Sequence, residues 1–197
     1  MTEDILLEEK EFQKAKRKKV AKPLLWISMI SIIMLFAGLT SAVIVRKGDG
    51  NWLNFELPEA FTWSTIIIAI SSLTIFLAGR SAKSDKYSGV KLMTLLTFIL
   101  GLLFVQLQFV GYDQLVENGV YFTGANHNAS GSFLYIISAL HIAHLVGGLI
   151  ALLVVVFNAF KGRYDSKNLL GLQLCSSYWH FMGVMWIYLY FFFKLII

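Results

Sequence analysis

Charge is missing from long stretches of this sequence. Segments 24–45, 61–79, 92–112, 132–160 and 174–193 contain no Asp, Glu, Lys or Arg. Each is close to the roughly 20 apolar residues that one helical crossing of a bilayer requires. With 57% hydrophobic residues and a mean hydropathy of +0.66, the 197-residue chain has more apolar surface than one soluble core can hide. The apolar runs are continuous rather than alternating, which excludes a β-barrel. The expected fold class is all-α, an integral membrane bundle of five transmembrane helices. Cysteine is nearly absent too: Cys175 alone permits no internal disulfide and no paired-cysteine metal or redox motif. Only two prolines occur, Pro23 and Pro58, both outside the five segments, so no span is broken in the way of transporter helices. The lack of Asp or Glu in any span removes the usual membrane-embedded relay for protons or ions. A stand-alone transporter is therefore a poor reading.

The charge that is present is unevenly placed. Residues 1–22 form a basic tail with Lys10, Lys14, Lys16, Arg17, Lys18, Lys19 and Lys22. Beside a membrane span, such a tail orients the chain and binds anionic lipid rather than nucleic acid. Residues 80–91 add Arg80, Lys83, Lys86 and Lys91, and residues 161–173 add Lys161, Arg163 and Lys167. The segments on the other side hold only Arg46, Lys47 and Lys194 of the Lys and Arg residues, and residues 113–131 hold no Lys or Arg at all. The positive-inside rule then predicts an N-terminus inside, a C-terminus outside and a domain 23–197 following the tail. The first apolar run is too long for the core of a cleaved signal peptide and is expected to remain as an anchor. On the outside, Trp52 and Phe55 precede Pro58 and suit the membrane interface. The loop with Gly119, Gly124, Asn126, His127, Asn128 and Gly131 reads as an irregular turn, and its Asn128-Ala129-Ser130 sequon carries little weight.

Within the spans, small and polar residues are the informative ones. Ala139, Ala143, Gly147 and Ala151 repeat every four residues and make a shallow ridge suited to close helix packing, inside the chain or against another subunit. Gly38 and Ala42 form a weaker version in the first span. Gln108 shares a helix face with Gly101, Val105 and Tyr112, and its amide should face protein rather than lipid. His141, His144 and His180 are the histidines at membrane depth, and such residues are functional candidates. At about 1.5 Å per residue, His141 and His144 lie some 10–15 Å below the outer surface, while His180 lies about 9 Å from the inner one. That separation argues against a shared metal or haem site, and neither cysteine pairs nor carboxylates are at hand to complete one. A b-type haem protein is the weaker alternative. In the last span, Tyr178-Trp179-His180-Phe181 followed by Trp186 can hydrogen-bond lipid phosphates or carbonyls, with Arg80 or Arg163 pairing to the phosphate. The same aromatics would equally serve to pack the bundle.

Two motifs carry a family resemblance. His141-x-x-His144 with Gly148, and Tyr178-Trp179-His180-Phe181-x-x-x-x-Trp186, resemble the paired-histidine helix and last helix of subunit III of the haem–copper terminal oxidases. Phe36-Ala37-Gly38, Ser71-Ser72, and Gly101 with Gln108 and Tyr112 support it. The resemblance runs in order from about Trp26 to the C-terminus and is similar to the five-span bacterial form.

The resemblance implies an accessory subunit of the bacterial cytoplasmic membrane without catalytic residues or metal of its own. It implies haem and copper in partner subunits, phospholipid held in a cleft, and contacts with oxidase subunit I and the other oxidase subunits. It leaves room for a larger respiratory supercomplex and implies support for sustained proton-coupled oxygen reduction. The chain departs from the family's acidic positions: Ile32, Gly111, Gln173 and Gly183 stand where carboxylates are common. These losses weaken a direct proton role and leave scaffold and lipid roles intact.

Overall fold

The computed structural model describes residues 2–50, 52–124, 128–165 and 168–197, with side chains from residue 19 onward. Asn126, His127, Lys167 and the side chains of Lys10, Lys14, Lys16, Arg17 and Lys18 lie outside the described residues. Five helices follow in order: α1 Thr2–Gly48, α2 Glu59–Lys83, α3 Tyr87–Glu117, α4 Ala129–Phe160 and α5 Leu170–Ile196. All five are long and apolar enough to cross a membrane, and no strand occurs among the described residues.

The helices exceed the charge-free segments at most ends, because helical hydrogen bonding does not stop where the bilayer does. α1 is the extreme case. Its 47 residues extend for about 70 Å, more than twice the hydrocarbon thickness. Pro23 lies inside α1 rather than between tail and span. It removes one backbone donor, yet the helix runs through it.

Helix ends are closed by local chemistry. α3 stops at Asn118, and Gly119 then adopts a left-handed φ of +75°. Val120 N–H donates to Leu115 O at 2.9 Å, and Gly119 N–H to Val116 O at 3.0 Å. Both Leu115 and Val120 are buried, the apolar contact that accompanies this type of cap. α4 starts at Asn128, whose side-chain oxygen accepts from Ser130 N–H at 3.1 Å and also from Leu53 N–H at 3.3 Å. The asparagine of the sequon is thus a helix cap and a tether to the α1–α2 loop.

α2, α3, α4 and α5 close a ring in that order, with α5 against α2, while among the described residues α1 packs against α4 and α5 only. α1 runs parallel to α5: the Thr40 and Tyr188 hydroxyls lie 3.2 Å apart, and Lys47 Nζ donates to Ile196 O at 2.7 Å. α2 runs antiparallel to α5, with pairs Thr62–Tyr190, Thr65–Trp186 and Ser71–Trp179. Glycines let the ring close. A Cβ on Gly101 would lie 2.6 Å from the Trp179 ring, and one on Gly111 would collide with Phe61.

Candidate lipid groove and the aromatic core

Leu172, Trp179, Trp186 and Phe193 recur every seven residues on α5 and are all at most 1% exposed. This is the face of α5 that fills the ring. Trp179 Nε1–H donates to Ser71 Oγ at 3.0 Å, and Trp186 Nε1–H to Thr65 Oγ1 at 3.0 Å. Trp186 also packs edge-on against Phe61 and Phe104. The sequence offered Trp179 and Trp186 as lipid contacts; the structure corrects this. Their indole N–H groups are committed to α2 hydroxyls, and no surface of either ring reaches lipid. The seven-residue spacing of the largest side chains, opposite serines and threonines on α2, was the available sign.

Tyr178 and His180 are only partly buried. Tyr178 OH donates to His144 O at 3.0 Å, and its ring covers Gly148, where a Cβ would lie 3.0 Å away. His180 lies one turn deeper than Ser176 on the same face of α5.

Ser176 and Ser177 belong to a groove of about 550 Å³ at the basic end of the bundle. It exists because α1 and α2 flank α5 without touching each other. Lys22 comes from α1, Arg80 and Lys83 from α2, and Gln173, Ser176 and Ser177 from α5. Leu25, Trp26 and Phe76 supply apolar walls, and no carboxylate is among the lining residues. Sequence reasoning named Arg80 but missed Lys22 and Lys83 as its companions. Nothing local marks them; their meeting depends on how α1 leans on α5.

Arg163 is not brought to this groove. Its guanidinium donates to Asn158 Oδ1 at 3.1 Å at the end of α4. Asn158 lines a second, more apolar groove of about 560 Å³ with Leu25, Gly147, Ala151, Cys175 and Tyr178. The neighbouring Tyr164 lines it too, and burial raises its phenol pKa, opposed by its hydrogen bond with Asn158.

The small-residue ridge is expected to pack either inside the chain or against another subunit. Ala139, Ala143, Gly147 and Ala151 are all exposed, and a Cβ on Gly147 would meet nothing within 4 Å. Packing within this chain is therefore not their role. Gly148, one residue on, is the glycine of α4 that packs closely. Gln108 is fully buried, and its Nε2–H donates to Ser64 Oγ at 2.8 Å. His141 is fully buried, while His144 is partly buried with Nδ1 2.7 Å from Leu140 O. Phe36 of α1 lies edge-on to both rings, at 6.2 and 5.9 Å between centroids. Among the described residues no group of three or more His, Cys, Asp or Glu is placed to hold a metal ion. A Cβ on Gly111 would collide with the Phe61 ring, and one on Gly183 would lie 3.1 Å from Ser72 Oγ, a tight contact.

Comparison with known proteins decides the family. The model of the family described as cytochrome c oxidase subunit III matches residues 53–195. The chain belongs to the cytochrome c oxidase subunit III family. It is 29% identical over 175 residues to the probable cytochrome c oxidase subunit 3 of Nocardia farcinica, covering 85% of this chain and 82% of that one. It is 30% identical over 166 residues to the cytochrome c oxidase subunit 3 of Corynebacterium diphtheriae, covering 80% and 79%. A probable quinol oxidase subunit 3 of Staphylococcus saprophyticus is 24% identical over 171 residues, covering 84% and 83%. The chain is thus a multi-pass membrane protein and an accessory subunit of the haem–copper oxidase type. Neither the stand-alone transporter nor the b-type haem protein is favoured.

Proposed function

We propose that this subunit III holds anionic phospholipid at the cytoplasmic face of a bacterial respiratory oxidase and stabilises the catalytic subunit I during turnover. The basic end of the bundle is the inner end, in keeping with the positive-inside rule. One observation carries the reading. Lys22, Arg80 and Lys83, from two helices that do not touch, line one groove with apolar walls and no carboxylate. A phosphate there would draw the three cations together, with acyl chains along Leu25, Trp26 and Phe76 and hydroxyl donors at Ser176 and Ser177. His180 and Tyr178 would border the lipid deeper in the bilayer, whereas Trp179 and Trp186 shape the groove only by fixing α5 from behind. Arg163 would act at the second groove.

The exposed ridge Ala139, Ala143, Gly147 and Ala151 is the face offered to subunit I or another oxidase subunit. Haem and copper would belong to those partners. This chain would extend the number of turnovers the oxidase completes before inactivation and could serve equally within a larger supercomplex.

The test is native mass spectrometry of the purified oxidase carrying Lys22→Gln, Arg80→Gln and Lys83→Gln together. The expected result is loss of bound anionic phospholipid with the subunits still associated, and an earlier decline of oxygen uptake. Unchanged lipid retention in the assembled variant would overturn the lipid assignment.

A further inference from the structure

Three buried side-chain atoms lack a hydrogen-bonding partner among the described residues: Gln108 Oε1, His141 Nδ1 and His141 Nε2. Both residues are fully buried, and they lie on neighbouring helices of the ring. Two contacts between α3 and α4 set their relative level. Phe104 meets His141 at 6.1 Å between ring centroids, and Tyr112 OH lies 2.8 Å from Ser138 Oγ. Gln108 is one helical turn from both Phe104 and Tyr112 on the same face of α3. It therefore lies between the levels of His141 and Ser138, with its amide turned into the ring towards Ser64 of α2, beside Thr65, whose partner Trp186 packs on the His141 ring.

The protein groups nearby are already engaged. Ser64 Oγ–H donates to Phe61 O, and Ser138 Oγ–H to Leu134 O. Trp186 Nε1–H donates to Thr65. The rings packed against His141 are those of Phe36, Phe104 and Trp186, whose faces offer no conventional acceptor or donor. Exchanging the oxygen and nitrogen of the Gln108 amide does not help, since one of the two always remains without a partner. A neutral imidazole needs a donor for one nitrogen and an acceptor for the other. Buried polar groups in folded proteins are rarely left in this state, and ordered internal water is their usual partner.

We propose that the interior of the ring at the level of Gln108 and His141 is an internal water site. Water donates to Gln108 Oε1, and water bonds the imidazole of His141, as a donor to one nitrogen and an acceptor from the other. The aromatic rings of Phe36, Phe104 and Trp186 seal it from lipid. Phe36 makes α1 part of the seal, although α1 lies outside the ring.

Electron cryo-microscopy of the intact oxidase, at a resolution that resolves waters, tests the site. Density is expected within hydrogen-bond reach, about 2.7–3.2 Å, of Gln108 Oε1 and of a His141 nitrogen. In the Gln108→Met complex, which keeps the side-chain volume and removes the amide, the density at residue 108 should be lost. Water-edited solid-state nuclear magnetic resonance on the ¹⁵N-histidine-labelled wild-type complex provides a measurement independent of that variant. A transfer from water to the His141 imidazole supports the site. No density at either residue, or an imidazole N–H that receives no transfer and points at the face of Phe36 or Phe104, would overturn it.

Discussion

The four-helix ring and the helix α1 are built differently, although the α1 span, at a mean hydropathy of 2.3, falls within the 1.3–2.4 range of the ring spans. The ring is tied through its centre by directional bonds: Trp179 to Ser71, Trp186 to Thr65, Gln108 to Ser64 and Thr74 to Thr97. α1 leans on α4 and α5 through Met29, Ile32, Phe36, Thr40 and Val43, and much of the rest of its surface is exposed. In lipid, apolar faces gain little from meeting one another, so polar pairs and close packing decide which helices form a unit. Where those devices are dense, the bundle is closed. Where they thin out beside the basic end of α1, it opens into grooves.

Removing the centre of the ring should have the largest effect. Trp179→Ala deletes a fully buried indole and its bond to Ser71, and should destabilise the chain by about 3–5 kcal/mol. The thermal midpoint of the detergent-solubilised complex, followed by loss of subunit III on gel filtration, would record it. A midpoint within error of wild type would mean that the ring is not the stable unit.

Phe36→Ala should act chiefly on α1, at about 3 kcal/mol or less because α1 is only partly enclosed. Cysteines introduced for Thr40 and Tyr188, whose hydroxyls lie 3.2 Å apart across α1 and α5, would report on α1 by their yield with a short bifunctional thiol cross-linker. Reduced yield with a nearly unchanged ring midpoint is expected. Equal loss of both would erase the distinction between the regions.

Ser71→Ala is a milder probe of the ring. It leaves the Trp179 N–H buried without its acceptor, at a cost of about 1 kcal/mol, in the range found for hydrogen bonds in membrane proteins. A small drop in midpoint, repaired by Ser71→Thr, is expected.

Gly147→Leu should leave the chain itself nearly as stable as wild type, since nothing lies within 4 Å of an added Cβ. Its effect should appear only as weaker association with the rest of the oxidase in mild detergent. Full association would show that the ridge faces lipid.

Much of this architecture was legible in residue order. The five helices fall on the five charge-free stretches, and Gly119, at φ +75°, ends α3 as its type suggests. The family was legible in the His141-x-x-His144 and Tyr178-Trp179-His180-Phe181 blocks and is supported by the match over residues 53–195. The faces of the helices were less so. Trp179 and Trp186 are compatible in type with an interfacial belt or with a core, and only the hydroxyls of α2 distinguish the two. The ridge on α4 satisfies a packing motif, yet its residues are exposed and a Cβ on Gly147 would meet nothing within 4 Å.

Taken alone, the sequence determined the number of spans, their all-helical character and the side on which positive charge gathers. Each of these is a local property: a run of about 20 apolar residues must satisfy its backbone internally in lipid, and charge cannot stay in the hydrocarbon. Tertiary structure alone decided that Lys22, Arg80 and Lys83 share one groove, that Arg163 stands apart from it, and that Gln108 and His141 are buried inside the ring with polar atoms left over. These outcomes depend on the rotation and lean of whole helices against one another. Those angles are set by sums of many weak contacts, such as Gly101 under Trp179 and Gly111 under Phe61, that no single stretch of sequence contains.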